Sequence, residues 1–231
     1  MMVKILNWLK KIYYTSSSRR FIGYLVSGGV KIGERVIFRD PHTTHIDMTR
    51  PCLVSIGNDV DINVNFTILT HDWCTHVFRN TFHDFLNSSG KVSIGNNVYI
   101  ATNVTILKGV TIGDNCIIGA GSVVNKSIPS NSVAVGIPCR VVSSIEEYYN
   151  KCKTRCMEEA KEYVRCFRSR NGRDPEASEL WEEFVFFVDK RNIDKYPELP
   201  VRRQLGQGYE VWLKKHQASF ASLEKFLSSI N

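Results

Sequence analysis

The sequence predicts a mainly β fold, a left-handed parallel β-helix, with a helical cap at its N-terminus and a helical extension at its C-terminus. Three observations lead to this prediction. An aliphatic residue recurs at every sixth position, Gly, Asn and Asp are concentrated between these positions, and helical patterns flank the repeat. We therefore predict a cap at residues 1–30, the β-helix at residues 31–143 and the extension at residues 144–231.

The six-residue repeat runs without interruption from Ile94 through the units IGNNVY, IATNVT, ILKGVT, IGDNCI, IGAGSV and VNKSIP. A period of six matches neither an amphipathic helix nor the simple alternation of a strand. It fits a triangular coil with six residues on each short face, so that one turn takes about 18 residues. We expect Ile94 to stack on Ile112 and Ile100 on Ile118, with Gly, Asn and Asp at the tight corners. Ordinary strands joined by Gly turns are the alternative.

An insertion interrupts the repeat. An earlier block with the same phase starts at Ile56 and a weaker one at Ile32, but Ile56 and Ile94 are 38 residues apart, which is not a multiple of six. The residues without a repeat lie at about 72–91, and we predict a loop there. Insertions in a solenoid become loops on one face, which is often the functional face. Because this loop is rich in His and aromatic residues, we expect it to cover an active site.

The N-terminal residues have two helical patterns, at residues 3–14 and 18–27. The first has an apolar stripe on one side, which is typical of a helix that packs on a core. We expect the two helices to close the open end of the β-helix. A weak contact with a membrane surface is the alternative, in which the lysines of the first helix meet anionic lipid.

The C-terminal extension begins with a capping box, because Ser144 is followed three residues later by Glu147 and then by a helical pattern. Asn171-Gly172 is expected to end this helix. We predict further helices over about residues 175–190 and 209–228, separated by a connector that contains prolines.

Composition excludes several classes of protein. Of the 231 residues, 43% are hydrophobic and 23% are charged, which excludes a wholly disordered chain. The seven cysteines are scattered without a CxxC pair, which argues against a zinc ribbon or a disulfide framework and favours a cytoplasmic protein. No run of about 18 apolar residues occurs, so we expect no membrane-spanning helix.

The net charge of +7 is concentrated in the first part of the chain. Residues 1–144 contain 14 Lys and Arg against 8 Asp and Glu. A basic surface suits a nucleic acid, an anionic membrane or a phosphorylated cofactor. Since the sequence has no nucleic-acid-binding motif and no basic run longer than two residues, we predict a small-molecule partner and no nucleic acid.

Residues 90–142 closely resemble the maltose/galactoside O-acetyltransferase group of hexapeptide-repeat acyltransferases, through GKVSIGNNVYIATNVTILKGVTIGDNCIIGAGSVVNKSIPSNSVAVGIPCRVV. The TH of ILTHDW before the insertion also resembles this group. The segment RDPHTTHIDMTRPCLVSIGNDV resembles members found in bacterial polysaccharide biosynthesis. The resemblance covers roughly residues 20–145. It implies a homotrimer, acetyl-CoA as the acetyl donor, and active sites in clefts between neighbouring β-helices.

Transfer of an acetyl group to a sugar hydroxyl requires a base, and a neutral His with an ordinary pKa near 6.5 suits that step. His71 matches the catalytic His of the family, which implies direct transfer without an acyl-enzyme. Asp72 is a candidate to orient the imidazole, or else it caps a turn. Asn65, in NVNF, resembles a family Asn that stabilises the tetrahedral intermediate, and an ordinary corner Asn is the alternative.

The resemblance also implies a set of residues for acetyl-CoA. Small or polar residues would meet the pantetheine arm, and polar or basic residues would lie near the nucleotide phosphates, where a fixed positive charge is favourable. Tyr99 stands where many members have Trp. These candidate cofactor-binding residues are Tyr99, Ala101, Thr102, Gly119, Ala120, Asn125, Lys126 and Arg140.

The acceptor is expected to be a sugar or glycan. Asp47 is a candidate ligand because a carboxylate binds sugar hydroxyls, with Arg50 as its candidate partner, and an ordinary turn residue is the alternative. His76 and Arg79, within the insertion, are further candidate acceptor contacts. N-acetylation of an amino sugar and acetylation of a xenobiotic remain alternatives, since the same base and donor would serve them.

Two different classes of function also remain open. A zinc lyase of the γ-carbonic anhydrase type has the same fold, and His71 and His76 are five residues apart as two of its ligands would be. Its third ligand would lie about two coils upstream, where this chain has Arg35, and we predict no metal. A non-catalytic trimeric scaffold, with the helical extension as its interaction module, is the other alternative.

Overall fold

The computed structural model describes residue 10 and residues 12–230. The chain divides into two compact units, Met1–Tyr149 and Asn150–Asn231. The predicted helix over residues 3–14 lies largely outside the described residues. The predicted boundaries after residues 30 and 143 stay predictions.

Three sheets form the sides of a triangular coil in the first unit, and the chain passes from sheet A to sheet B to sheet C in each regular turn. Sheet A contains β1 (Lys31–Ile32), β4 (Val54–Ile56), β7 (Val92–Ile94) and β10 (Thr111–Ile112). Sheet B contains β2 (Ile37–Phe38), β5 (Val60–Ile62), β8 (Val98–Ile100), β11 (Cys116–Ile118), β13 (Ser132–Val135) and β14 (Arg140–Ser144). Sheet C contains β3 (His45–Ile46), β6 (Thr67–Ile68), β9 (Thr105–Ile106) and β12 (Val123–Val124). These coils form the predicted left-handed parallel β-helix, and the strand pairs are parallel except β13 with β14.

The predicted stacking is confirmed, because Ile94 pairs with Ile112 and Ile100 pairs with Ile118. Each sheet contributes an aliphatic ladder to the core, and every member is at most 4% exposed. Full burial of one such side chain contributes about 1.5–3 kcal/mol. The ladders consist of Ile56, Ile94 and Ile112 in sheet A, Ile62, Ile100 and Ile118 in sheet B, and Ile68, Ile106 and Val124 in sheet C.

Small and amide-bearing residues make the corners, as the repeat predicts. Asn97 and Asn115 have φ values of 53° and 55°, in the left-handed region that Asn adopts more readily than most residues. A Cβ atom on Gly95 would lie 2.8 Å from the backbone of Gly113 in the next coil, so this corner requires glycine.

Helix α1 (Ser18–Ser27) confirms the second predicted N-terminal helix. Ser17 caps it by accepting a hydrogen bond from the backbone N–H of Arg20. The buried side chains Phe21 and Leu25 pack on the β-helix core, and the Phe21 ring meets the edge of Phe38 at a centroid distance of 5.1 Å. The helix therefore covers the first coil.

The predicted insertion is a long excursion between β6 and β7. It contains one short helix, α2 (Thr75–Thr81). An antiparallel bridge between His71 and Ser89 closes its neck. The insertion thus leaves and rejoins the β-helix at one corner, next to His71.

Helix α3 (Ile145–Asn171) begins with the predicted capping box, in which the backbone N–H groups of Ser144 and Glu147 each donate to the other's side chain. It ends where predicted, and Gly172 follows with a φ of 65°. None of the described helices is long and apolar enough to cross a bilayer.

The predicted helix over residues 175–190 is wrong. This segment forms only 3-10 turns, at Ala177–Glu179 and Glu183–Phe186. Phe186, Phe187 and Val188 are all buried although they are consecutive. A helix turns about 100° per residue and would direct one of the three away from the core.

The predicted single helix over residues 209–228 is replaced by α5 (Tyr209–Lys215) and α6 (Leu223–Ser228), after the short helix α4 (Val201–Leu205). The connector between α5 and α6 forms hydrogen bonds with the segment at residues 186–189. The backbone N–H of Ala218 donates to Asp189, and that of Phe220 donates to the carbonyl of Phe186.

Candidate active site

The candidate residues are divided between two corners of the β-helix. The C–A corner, where the chain leaves sheet C, carries Asp47, Leu69, Leu107 and Asn125 in successive coils. Backbone N–H groups of Asp47, Leu69 and Leu107 bond to the last strand residue of the next coil, which fixes this stacking. The B–C corner, where the chain leaves sheet B, carries Ala101, Thr102, Gly119 and Ala120. The N–H groups of Ala101 and Gly119 make the equivalent bonds there.

His71 lies at the C–A corner, and its imidazole is paired with a buried carboxylate. The Nδ1 atom of His71 is 2.6 Å from Oδ2 of Asp47, whose side chain is 5% exposed against 32% for His71. A carboxylate at Nδ1 favours the neutral tautomer that carries its proton there. The lone pair is then on Nε2, which leaves this atom as the basic one.

Asp47 is held by several donors besides His71. Oδ1 accepts from the backbone N–H of Thr49 at 3.0 Å and from its hydroxyl at 2.6 Å, while Oδ2 accepts from the hydroxyl of Thr70 at 2.5 Å. Burial alone would raise the pKa of Asp47, but the hydrogen bonds from Thr49, Thr70 and His71 outweigh it and hold that pKa well below its usual range. The carboxylate is therefore ionised and fixed beside the imidazole.

These contacts decide between the alternatives for two residues. Asp47, an acceptor ligand or a turn residue, accepts from the backbone N–H of Thr49 as a turn residue does, and its oxygens meet Thr70 and His71 and not Arg50. Asp72, expected to orient the imidazole or to cap a turn, caps a turn, because its Oδ1 accepts from the backbone N–H of Cys74 at 3.1 Å.

Asp72 also helps to close the neck of the insertion. Its Oδ2 accepts from Nζ of Lys108, which also contacts the hydroxyl of Ser88 on the other side of the neck. Hydrogen bonds from Cys74, Lys108 and Ser88 hold the pKa of Asp72 well below its ordinary value. One lysine of the third coil thereby joins both ends of the insertion beside His71.

Lys108 is a site residue that the sequence analysis missed. It lines a cavity of about 240 Å³ together with His71, Asp72 and Asn125. The repeat itself contained the signal, because Lys108 follows Ile106 by two positions, as Lys126 follows Val124 and Thr70 follows Ile68. Counting the phase from each strand would have placed Lys108 in the coil next to His71.

The candidate cofactor residues follow this division. Asn125 and Lys126 lie at the C–A corner, and Nη1 of Arg140 donates to Oδ1 of Asn125 at 3.2 Å. Tyr99 stands on β8 with 41% of its surface exposed and accepts a hydrogen bond from Asn63 at 3.3 Å. The remaining four, Ala101, Thr102, Gly119 and Ala120, are at the B–C corner, on the far side of sheet C from His71.

The remaining candidates make their hydrogen bonds away from the His71–Asp47 pair. Asn65 lies at the B–C corner with a φ of 57°, and its amide donates to Oδ1 of Asn103, as the corner alternative predicts. His76 and Arg79 are exposed on α2, where Nη2 of Arg79 lies 3.0 Å from Nδ1 of His76. In the described part of the chain, no group of three or more His, Cys, Asp and Glu is arranged to hold a metal ion.

A second and larger cavity, of about 990 Å³, is lined by both Asp47 and His71. Helix α1 and the segment 41–49 supply most of its walls. His71 therefore borders two cavities, the smaller one toward Asn125 and the larger one toward the N-terminal helix.

Comparison with known proteins identifies the repeat. Residues 91–126 match the family model described as bacterial transferase hexapeptide, six repeats. The chain is 44% identical over 107 residues to the galactoside O-acetyltransferase of Escherichia coli (strain K12), which covers 42% of this chain and 49% of that protein. Among solved structures it is similar to a maltose O-acetyltransferase from Clostridium difficile 630, at 29% identity and a TM-score of 0.42, over 61% of this chain and 84% of that one.

Residues 91–126 are therefore hexapeptide repeats of the bacterial transferase family. The chain spans about half the length of the curated relatives it matches, with 49% and 57% for the first two.

Proposed function

We propose that this protein is an acetyltransferase that moves the acetyl group of acetyl-CoA directly to a hydroxyl group of a sugar or glycan. The observation that carries the proposal is the His71–Asp47 pair at a corner of the hexapeptide β-helix, at a distance of 2.6 Å. The similarity to a galactoside O-acetyltransferase supports both the reaction and the class of acceptor.

His71 is the general base of this reaction. Its Nε2 atom takes the proton of the acceptor hydroxyl as the oxygen attacks the carbonyl carbon of the thioester. The C–S bond then breaks, the acetyl group stays on the acceptor oxygen, and the sulfur of CoA leaves with the proton that His71 returns. Asp47 stabilises the imidazolium that exists between the two proton transfers, because its carboxylate is ionised and buried beside Nδ1.

Acetyl-CoA is held by residues of both corners. Lys126 and Arg140 are exposed and carry the fixed positive charges that nucleotide phosphates require. The small side chains of the B–C corner, Ala101, Gly119 and Ala120, allow the pantetheine arm to approach the backbone. Placed there, the thioester must still reach His71 on the far side of sheet C.

The site is therefore formed between two copies of the chain in a homotrimer. In a closed ring of identical subunits, each interface joins two different surfaces. The C–A corner of one copy supplies His71 and Asp47, and the B–C corner of the next supplies the channel for the pantetheine arm. The free cysteines agree with a site of action in the cytosol. The proposed role of the reaction is in the synthesis of a polysaccharide.

Calorimetric titration of acetyl-CoA, followed by an assay of CoA thiol release with a panel of glycan acceptors, tests the proposal. We expect saturable micromolar binding that weakens at least ~10-fold in the Lys126→Ala/Arg140→Ala variant, since two phosphate contacts are lost. Thiol release should require an acceptor. The matched control is Lys151→Ala/Arg155→Ala, which removes the same charge from the exposed face of α3.

Two results would contradict the proposal. One is the absence of binding at millimolar acetyl-CoA. The other is equal binding by the two double variants, which would show that the charge at Lys126 and Arg140 has no specific role.

A further inference from the structure

The large cavity beside His71 has walls of an unusual composition. Its volume of about 990 Å³ lies at the upper end of the range for ligand pockets, about 300–1,000 Å³, and exceeds what one sugar ring needs. The part of its lining that matters here combines two tyrosines with basic and imidazole groups.

Basic and imidazole groups outnumber acids in this lining. Lys10, His42 and His45 line it in addition to His71, while Asp47 is the single carboxylate among the described lining residues. Asp47 is 5% exposed, and its oxygens accept from Thr49, Thr70 and His71. Its charge is directed at the imidazole and not at the cavity, so the open part of the cavity favours an anion.

His42 is held in place at this cavity. Its Nδ1 atom is 2.8 Å from the hydroxyl of Thr15, which joins the N-terminal segment to the wall at residues 41–49. His42 and His45 are both exposed. An imidazole meets a carboxylate as an N–H donor when neutral and as a cation when protonated, so both rings suit an acidic ligand.

An aromatic surface lies in the same cavity. The rings of Tyr14 and Tyr24 are 5.0 Å apart at an angle of 30°. Aromatic faces bind the C–H faces of sugar rings, because those faces are apolar and carry a slight positive charge that the ring electrons attract. A sugar that lies against these tyrosines can place a substituent near His42 and His45, and one of its hydroxyls toward His71.

We propose that the acceptor is an acidic glycan, a chain with carboxylate-bearing sugar residues that bind between the tyrosine pair and the side of the cavity formed by Lys10, His42 and His45. The inference rests on the proposed function, since it names the acceptor class of that site. It depends on the balance of charge in the cavity and on its size, which accommodates more than one sugar unit.

Binding is measured by titration with oligosaccharides of a uronic acid and with their carboxyl-reduced counterparts, which have the same rings without the charge. We expect the Kd of the acidic forms to be at least ~10-fold lower than that of the reduced forms. A difference of this size corresponds to about one charge-assisted hydrogen bond. In the His42→Gln/His45→Gln variant this preference should fall to about 2-fold or less. Lys91→Gln, a charge change on the exposed end of the insertion, should leave the preference unchanged.

Equal binding of acidic and reduced glycans, a preference that survives in His42→Gln/His45→Gln, or no binding of either form would overturn the inference. The thermal unfolding of each variant is compared with wild type, so that loss of folding is not read as loss of binding. Acidic glycans that bind with the expected preference but accept no acetyl group would contradict the proposed function and leave the acidic-glycan site standing.

Discussion

The two corners that border sheet C differ in chemistry, although they are built from the same repeat. The C–A corner carries ionisable side chains in successive coils and is interrupted by the insertion beside His71. In the third and fourth coils the B–C corner carries small or neutral residues, Ala101, Thr102, Gly119 and Ala120. The β-helix core needs only the inward aliphatic residues, so the corner positions are free to take either kind of residue. In the proposed function the first corner performs the chemistry and the second allows the close approach of a long substrate.

The largest effect is expected from the base. His71→Ala should lower kcat by ~10²- to 10⁴-fold, because proton removal from the acceptor is lost. The Kd for acetyl-CoA, measured by calorimetry, should stay within about 2-fold of the wild-type value, because the imidazole contributes little to donor binding. His83→Asn is the control, since His83 is exposed on the insertion and its φ of 55° suits Asn. Turnover at the wild-type level in His71→Ala would remove His71 from the mechanism.

Asp47→Asn should lower kcat by ~100-fold with a small change in KM, because the amide neither stabilises the imidazolium nor selects the Nδ1-protonated tautomer. Steady-state kinetics against both substrates separates kcat from KM. Asp61→Asn is a suitable comparison, because this carboxylate pairs with Arg39 on the outside of sheet B. If kcat falls equally in Asp47→Asn and Asp61→Asn, the carboxylate of Asp47 has no specific effect on the imidazole and only a structural role.

Substitution at the B–C corner should change KM for acetyl-CoA and not kcat. Ala120→Trp is expected to raise KM for acetyl-CoA by ~30-fold while kcat at saturation changes little, because the indole fills the space for the pantetheine arm. Ala120→Ser should retain the wild-type KM. A variant that lowers kcat and leaves KM unchanged would show that this corner does not hold the donor.

Lys108→Met should give the smallest change, about 5-fold in kcat, since it loosens the neck of the insertion and not the His71–Asp47 pair. The loss should be accompanied by faster hydrogen exchange in the insertion, at residues 72–90. Lys91→Met, at the exposed end of the insertion, should change neither property. If the hydrogen-exchange rate of the insertion is unchanged in Lys108→Met, a lower kcat cannot be due to loosening of the neck.

The repeat made the β-helix predictable because one spacing rule determines many pairings at once. Ile94 and Ile112 are 18 residues apart and pair directly. The Asp47–His71 pair was missed because its coil is longer than the 18-residue repeat. Ile46 pairs with Ile68, 22 residues later, and His71 stands two residues beyond the partner position of Asp47. The signal was their phase, since Asp47 follows Ile46 in β3 as Leu69 follows Ile68 in β6.

The helical extension was predicted less well because only part of it is determined by local sequence. Ser144 and Glu147 determine the start of α3 locally, so the capping box was sufficient. The segment 183–188 has no local determinant of that kind. Its consecutive apolar residues are buried together against other segments, and tertiary packing overrides the helical propensity of the sequence.

The central claim is that the C–A corner of one chain and the B–C corner of another form one site. Co-expression of His71→Ala with Ala120→Trp, assayed at low acetyl-CoA, tests it directly. Each variant alone should be nearly inactive under these conditions. In randomly mixed rings, about one quarter of the interfaces combine an intact His71 with an intact Ala120, so the mixture should recover about a quarter of wild-type activity. Recovery no greater than the mean of the two separate variants would contradict the claim, because each chain would then form its site alone.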